Sequence, residues 1–150
     1  LEAAVFGSSL YTIFDFRKAN PAQPRWEETS GQSAIKDRKF GLRAQFSSHL
    51  IFSDNIFTRL VYGYDYLLDK TAQPLVDGRL WVPWLTSNNH APFIQTKTTL
   101  WQYVNIKIGG RYDFINVSVP DYDVLRNKLS DPQVRVKGGS LHYNNFSFNL

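Results

Sequence analysis

The sequence predicts an all-β fold: an antiparallel up-and-down meander of about six long strands, part of a transmembrane β-barrel. Three observations predict it. Hydrophobicity alternates with a period close to two wherever it is strong, 15% of the 150 residues are Phe, Trp or Tyr, and the strands are joined by connections of contrasting length. Aromatic side chains suit a pleated, half-buried surface, and Tyr and Trp also suit membrane interfaces, where one end of the ring is dry and the other wet.

The first element is the stretch AVFGSSLYTIFDFR (4–17), which alternates as a strand and is followed by a polar section over 18–37. The clearest alternation is KFGLRAQFSSHLIF (39–52). Phe40, Leu42, Ala44, Phe46, Ser48, Leu50 and Phe52 share one face, and Gly41, Arg43, Gln45, Ser47 and His49 share the other, with Ile51 the exception. Such a run is incompatible with helical spacing. Ser53, Asp54 and Asn55 supply turn chemistry, and NIFTRLVYGYDYLLD (55–69) alternates again, with Leu60, Tyr62, Tyr64 and Tyr66 against Arg59, Val61, Gly63 and Asp65. A second section rich in Pro, Gly and Asn, residues 70–92, is expected to be a long loop. FIQTKTTLW (93–101) resumes the strand pattern, a short connection falls at Gln102-Tyr103, and VNIKIGGRYDFINVSV (104–119) follows. There Ile106, Ile108, Gly110, Tyr112 and Phe114 oppose Lys107, Gly109, Arg111 and Asp113. A third long section, 119–139, precedes the strand SLHYNNFSFNL (140–150).

Long connections thus alternate with short ones, the pattern of an outer-membrane barrel with short turns on one side and long loops on the other. Strands of ~12–16 residues also exceed the ~5–6 typical of soluble sheets. On this expectation the polar face, with Arg43, Gln45, Arg59, Asp65, Arg111 and Asp113, lines a lumen, and the aromatic face meets lipid. A soluble β-sandwich or barrel that binds ligand or carbohydrate through Trp-bearing loops shows the same alternation and stays open as the alternative.

Other chemistry is sparse. The chain has no Cys, which removes disulfides and thiolate chemistry, and no clustered basic segment of the kind that binds nucleic acid, despite a formal net charge of +4. His49, His90 and His142 are far apart with no metal-binding spacing, and no nucleophile elbow, phosphate loop or dinucleotide fingerprint occurs, so neither an enzyme nor a resident metal is expected. The acidic pairs Glu27-Glu28 and Asp121/Asp123 are expected on solvated loops. No signal peptide and no apolar run approaching ~18 residues is present, which says nothing against spanning by strands.

LVYGYDYLLD (60–69) resembles a barrel-strand motif of TonB-dependent outer-membrane receptors: an apolar run, Gly, any residue, Asp, Tyr. IKIGGRYDF (106–114) resembles the later Gly-x-Arg-Tyr-Asp/Glu strand of that family, and GGSLHYNNFSFNL (138–150) is similar to a further strand of its ferric-siderophore receptors. The three occur in the family's order. The resemblance implies an outer-membrane transporter of a Gram-negative bacterium that takes up ferric siderophore, energised through TonB, with lipid, a plug domain and TonB as partners and no covalently bound cofactor. The chain carries neither a plug-like segment nor the family's 22 strands, and its last residues stop within an alternation, so residues 1–150 are expected to be a partial barrel segment. An anionic ferric chelate calls for cationic and aromatic partners in long loops, which singles out Arg79, Trp81, Trp84 and His90, then Tyr122 and Arg126, with Arg25 and Trp26 weaker. A haem receptor with His90 as axial donor is the competing ligand class.

Overall fold

The computed structural model describes residues 1–14, 33–126, 128 and 130–150. Among them there is no helix. Six strands form one antiparallel sheet in chain order: β1 (Glu2–Ile13), β2 (Ala34–Ser53), β3 (Ile56–Pro74), β4 (Leu80–Leu100), β5 (Val104–Val119) and β8 (Gly139–Asn149). Between β5 and β8 the chain makes a small separate hairpin of β6 (Tyr122–Asp123) and β7 (Arg135–Val136). The meander is as the alternation predicts, and β1 and β8 are its two edges. Most of the section at 18–37, the end of the front strand at 15–17, and Arg25, Trp26, Glu27 and Glu28 lie outside the described residues.

The tight turns set the register. Asp54-Asn55 closes β2 onto β3 with Ser53 opposite Ile56, and from Ile51↔Phe57 back to Lys36↔Ala72 the two strands pair one to one. The β4–β5 connection is Trp101-Gln102-Tyr103, in which the Tyr103 N–H donates to the Leu100 carbonyl at 3.1 Å. Trp101 (φ 46°) and Gln102 (φ 64°) both occupy the left-handed region, the signature of a type I′ turn. That turn matches the twist of the strands but favours Asn and Gly, so these two residues are strained.

The section 70–92 is not a loop. β3 continues to Pro74 and β4 begins at Leu80, so only 75–79 joins them. The Gly78 N–H bonds the Leu75 carbonyl at 2.9 Å, the Leu75 N–H bonds the Arg79 carbonyl at 2.7 Å, and Gly78 takes φ 97°. Prolines are tolerated here because the ladders step around them. The pairing of β4 with β5 passes from His90↔Phe114 to Phe93↔Arg111, skipping Ala91 and Pro92, whose pairings with Asp65 and Tyr64 on β3 are kept. Pro83 falls where the β3–β4 register shifts between Thr71 and Gln73. Trp81, Trp84 and His90 therefore stand on a strand, and the strict long/short alternation of connections does not hold at this hairpin. Residues 34–37, also expected in a loop, belong to β2.

Because Gln102 is held at positive φ, Gln102→Gly should stabilise the chain by about 1 kcal/mol, read as a higher midpoint in equilibrium urea unfolding. An unchanged or lower midpoint would show the turn to be relaxed as it stands.

Candidate functional site

Register divides the sheet into two faces of opposite character. On one, successive rows run Leu50–Thr58–Thr98–Ile106, Ser48–Leu60–Thr96–Ile108, Phe46–Tyr62–Ile94–Gly110, Ala44–Tyr64–Pro92–Tyr112 and Leu42–Tyr66–His90–Phe114. Phe40, Leu42, Phe46, Leu60, Tyr62, Tyr64, Ile108 and Tyr112 thus share a face, with Arg43, Gln45, Arg59, Asp65 and Arg111 on the other, as the alternation predicts. No second layer covers the aromatic face among the described residues: Phe46 is 46% exposed, Ile94 54% and Ile108 50%. Its rings pack on each other instead, Phe46 stacking on Tyr62 at 5.5 Å and Tyr112 against Phe114 at 4.7 Å. Some of its polar atoms also find partners within the face. Thr58 and Thr98 share a hydrogen bond of 3.0 Å, and the Tyr64 hydroxyl is bonded to His90 Nδ1.

The opposite face carries a chain of ion pairs across four strands. Arg43 (β2) grips Asp65 (β3) with two bonds of 2.6 and 2.7 Å. Arg111 (β5) reaches over β4 to the other side of Asp65 and also bonds Asp113, at 3.0 Å from Nη2. Asn89 (β4) donates to Asp113 at 2.8 Å. The reach over β4 is open because Ala91, directly opposite Asp65, has only a methyl there. Both carboxylates are largely covered, with side chains 14% and 12% exposed. Two arginines and two aspartates balance. Carboxylates filled by guanidinium donors suit holding strands together rather than moving protons.

Gly63 leaves no gap in this face, because the chain itself fills the space above it. A Cβ there would stand 2.7 Å from the Phe93 ring, which lies over the glycine from the neighbouring strand, with the Arg43 guanidinium 5.7 Å from the ring centre. Farther along, Lys39 pairs with Asp37 at 3.5 Å and Asp69 at 3.3 Å, and Thr71 donates to both carboxylates. Gln45 bonds Glu2, and Arg59 donates to Ser47 at 3.0 Å.

The ligand candidates are not brought together. Arg79 sits at the β3–β4 turn and holds Asp77 through Nε at 2.9 Å and Nη2 at 2.5 Å. Trp81 is exposed on β4, Trp84 receives the Arg38 guanidinium over its ring at 5.7 Å, and His90 packs against Tyr66 at 4.9 Å. Tyr122 lies in β6, while Arg126 lines a cavity of about 230 Å³ with Leu125 and Asp131. Asp121 is not merely solvated: it accepts from the Gly138 N–H at 2.8 Å and faces Arg135 at 3.7 Å. Among the described residues no group of three or more His, Asp and Glu side chains is arranged to hold a metal. Counting back equally along both strands from the Asp54-Asn55 turn places Asp65 opposite Ala44; the register shift between Ile51 and Ser53 is what brings it opposite Arg43. The reach of Arg111 over Ala91 has no such one-dimensional signal.

No protein-family model matches the chain, and no solved structure matches it.

Arg111→Ala strips two covered carboxylates of donors, whereas Arg43 is half exposed and serves one. Loss of about 1–3 kcal/mol is expected for Arg111→Ala and less for Arg43→Ala, with coupling between them in a double-mutant cycle through the shared Asp65. At the hairpin tip, hydrogen bonds from the Arg79 side chain hold the Asp77 carboxyl below the ordinary carboxylate range. A depressed folded-state pKa means that this contribution is complete above about 3.9 and is lost as pH falls through the lower folded value. Carbon-detected NMR should show Asp77 titrating below about 3.9, and moving back up in Arg79→Ala.

Proposed function

We propose that this sheet is a stretch of the wall of an outer-membrane β-barrel, its aromatic face toward lipid and its charged face toward the lumen. One observation carries the reading: the apolar face is a bounded band. From the row of Ile56, Leu100 and Val104 to the row of Tyr66, β2 to β5 present no Asp, Glu, Lys or Arg on that face. The separation is ten residues along β3, which at ~3.3 Å per residue and a tilt near 40° rises about 25 Å, the height of the apolar belt of such barrels. On one side the band ends at Trp101 and Tyr103 in the β4–β5 turn; on the other, Asn88 and Asn116 are followed by Arg38 and Lys70. Aromatic rings at one margin and cations beyond the other are what interfaces select. No helix among the described residues is long and apolar enough to cross a membrane, a fact that leaves spanning by strands open.

Within this proposal, the resemblance to TonB-dependent receptors gives the finer reading, uptake of a ferric siderophore. Support comes from the way the motif residues meet: Asp65 of one motif bonds Arg111 of the other, 46 positions along the chain. The β3–β4 hairpin, with Arg79, Trp81 and Trp84 beyond the apolar band, is the ligand-facing element in this reading.

The test is a depth scan in lipid vesicles. Ile108→Arg, in the middle of the band, should cost about 2–4 kcal/mol of unfolding free energy, Asn116→Arg at its margin about 0–1, and Gln95→Arg on the opposite face little. Equal costs at Ile108 and Asn116, or a chain that stays monodisperse in water without detergent, would favour a soluble sheet protein.

A further inference from the structure

The charged face has a second pattern, which the spacing of residues in the sequence hides. His49 stands directly opposite Arg59, Arg59 opposite Lys97, and Lys97 opposite Lys107, so four basic residues from four strands form one row across the sheet. Like charges placed directly opposite each other destabilise a sheet. Elsewhere the face avoids this: Arg43 has Asp65 beside it, and Lys39 has Asp69. Here Arg59 has the Ser47 hydroxyl, and among the described residues no carboxylate is paired with Arg59, Lys97 or Lys107.

We propose that this row is a docking strip for an acidic polypeptide segment laid across the strands. The strip is open and its cations are exposed, lining a cleft of about 330 Å³ with Gln45, Val61 and Gln95. Small anions are held in enclosed sites that bury most of the ligand; an open strip suits a partner that covers it. The adjoining row adds Ile51, 72% exposed, and Phe57, so apolar and cationic contacts lie side by side, as in a protein interface. At ~4.8 Å per strand the three long cations span roughly 10 Å. Two acidic residues at i and i+2 of an extended segment, ~7 Å apart on one side, cover that span with the reach of their side chains. Carboxylate is also the group with which this chain neutralises every other cation cluster on the face. The inference rests on the sheet's register and holds whether or not the other face meets lipid.

The test uses the purified chain in nonionic detergent and a fluorescent peptide of alternating Glu and Leu. Wild type should bind it with an affinity that falls as salt rises, and should ignore the Gln-Leu analogue. Lys97→Gln combined with Lys107→Gln should weaken binding at least tenfold, as should Arg59→Gln with Lys97→Gln; Lys70→Gln, on the opposite face, should leave it unchanged. Without peptide, the Lys97/Lys107 double variant should unfold at a higher urea concentration than wild type, because the repulsion is relieved. Undiminished binding in both double variants would overturn the proposal. So would complete displacement of the peptide by equimolar tripolyphosphate, which would mark a small-anion site, or a double variant less stable than wild type, which would make the row structural.

Discussion

Everything in this sheet depends on register. Successive side chains point to opposite faces, so a slip of one residue of β2 against β3 would turn Arg43 onto the aromatic side, away from Asp65, and Phe46 onto the charged side, away from Tyr62. With no second layer among the described residues to bury a misplaced group, the hairpins themselves must prevent the slip. They do so with short turns at both ends, and β2 and β3 pair one to one from Ile51↔Phe57 to Lys36↔Ala72, beyond the register shift beside the Asp54-Asn55 turn. The ion pairs add a lock that works sideways. Arg111 touches Asp65 two strands away, so β3, β4 and β5 must be aligned together for the bond to form.

The two faces are stabilised by different means because their surroundings differ. On the aromatic face attraction is short-ranged and shared, ring on ring, and Thr58, Thr98, Tyr64 and Tyr66 find hydrogen-bond partners on the same face. On the charged face attraction is paired and local, and it is uneven. The chain Arg43–Asp65–Arg111–Asp113 is neutral and mostly covered, while the row at Arg59 is cationic and open. A sequence selected for stability alone would place acid beside base in both places, and a local rule broken in one of them marks that place as serving something other than the fold.

Much of this was legible in the sequence, and the rest failed for a definable reason. Period two shows only where one face is wet and the other is not. It was plain from Phe40 to Phe52 and from Ile106 to Phe114, and with it came the strands and the placing of Asp65, Arg111 and Asp113 on one face. Beyond the apolar band both faces are polar: Thr86, Ser87, Asn88 and Asn89 follow one another in β4 and carry no alternation at all. Three prolines, Pro74, Pro83 and Pro92, then argued for a loop, because proline is rare in an interior strand. The overlooked signal was Asp77-Gly78, a strong hairpin dipeptide in the middle of that section. The grouping of the ligand candidates was not legible, because shared loop membership had been their only link, and Trp81, Trp84 and His90 proved to be strand residues with separate neighbours.

That β3 and β4 run on as paired strands past the apolar band changes what their tip is mechanically. A loop of some twenty residues samples many shapes, and holding it in one shape on binding costs conformational entropy at each residue it orders. A ladder closed by five residues has already been ordered by folding. Arg79 is clamped to Asp77, and Trp84 is braced by Arg38 from β2. Whatever meets this tip meets a stiff post of fixed height rather than a strand of loose rope, so association there loses little freedom on the protein's side and discriminates by shape.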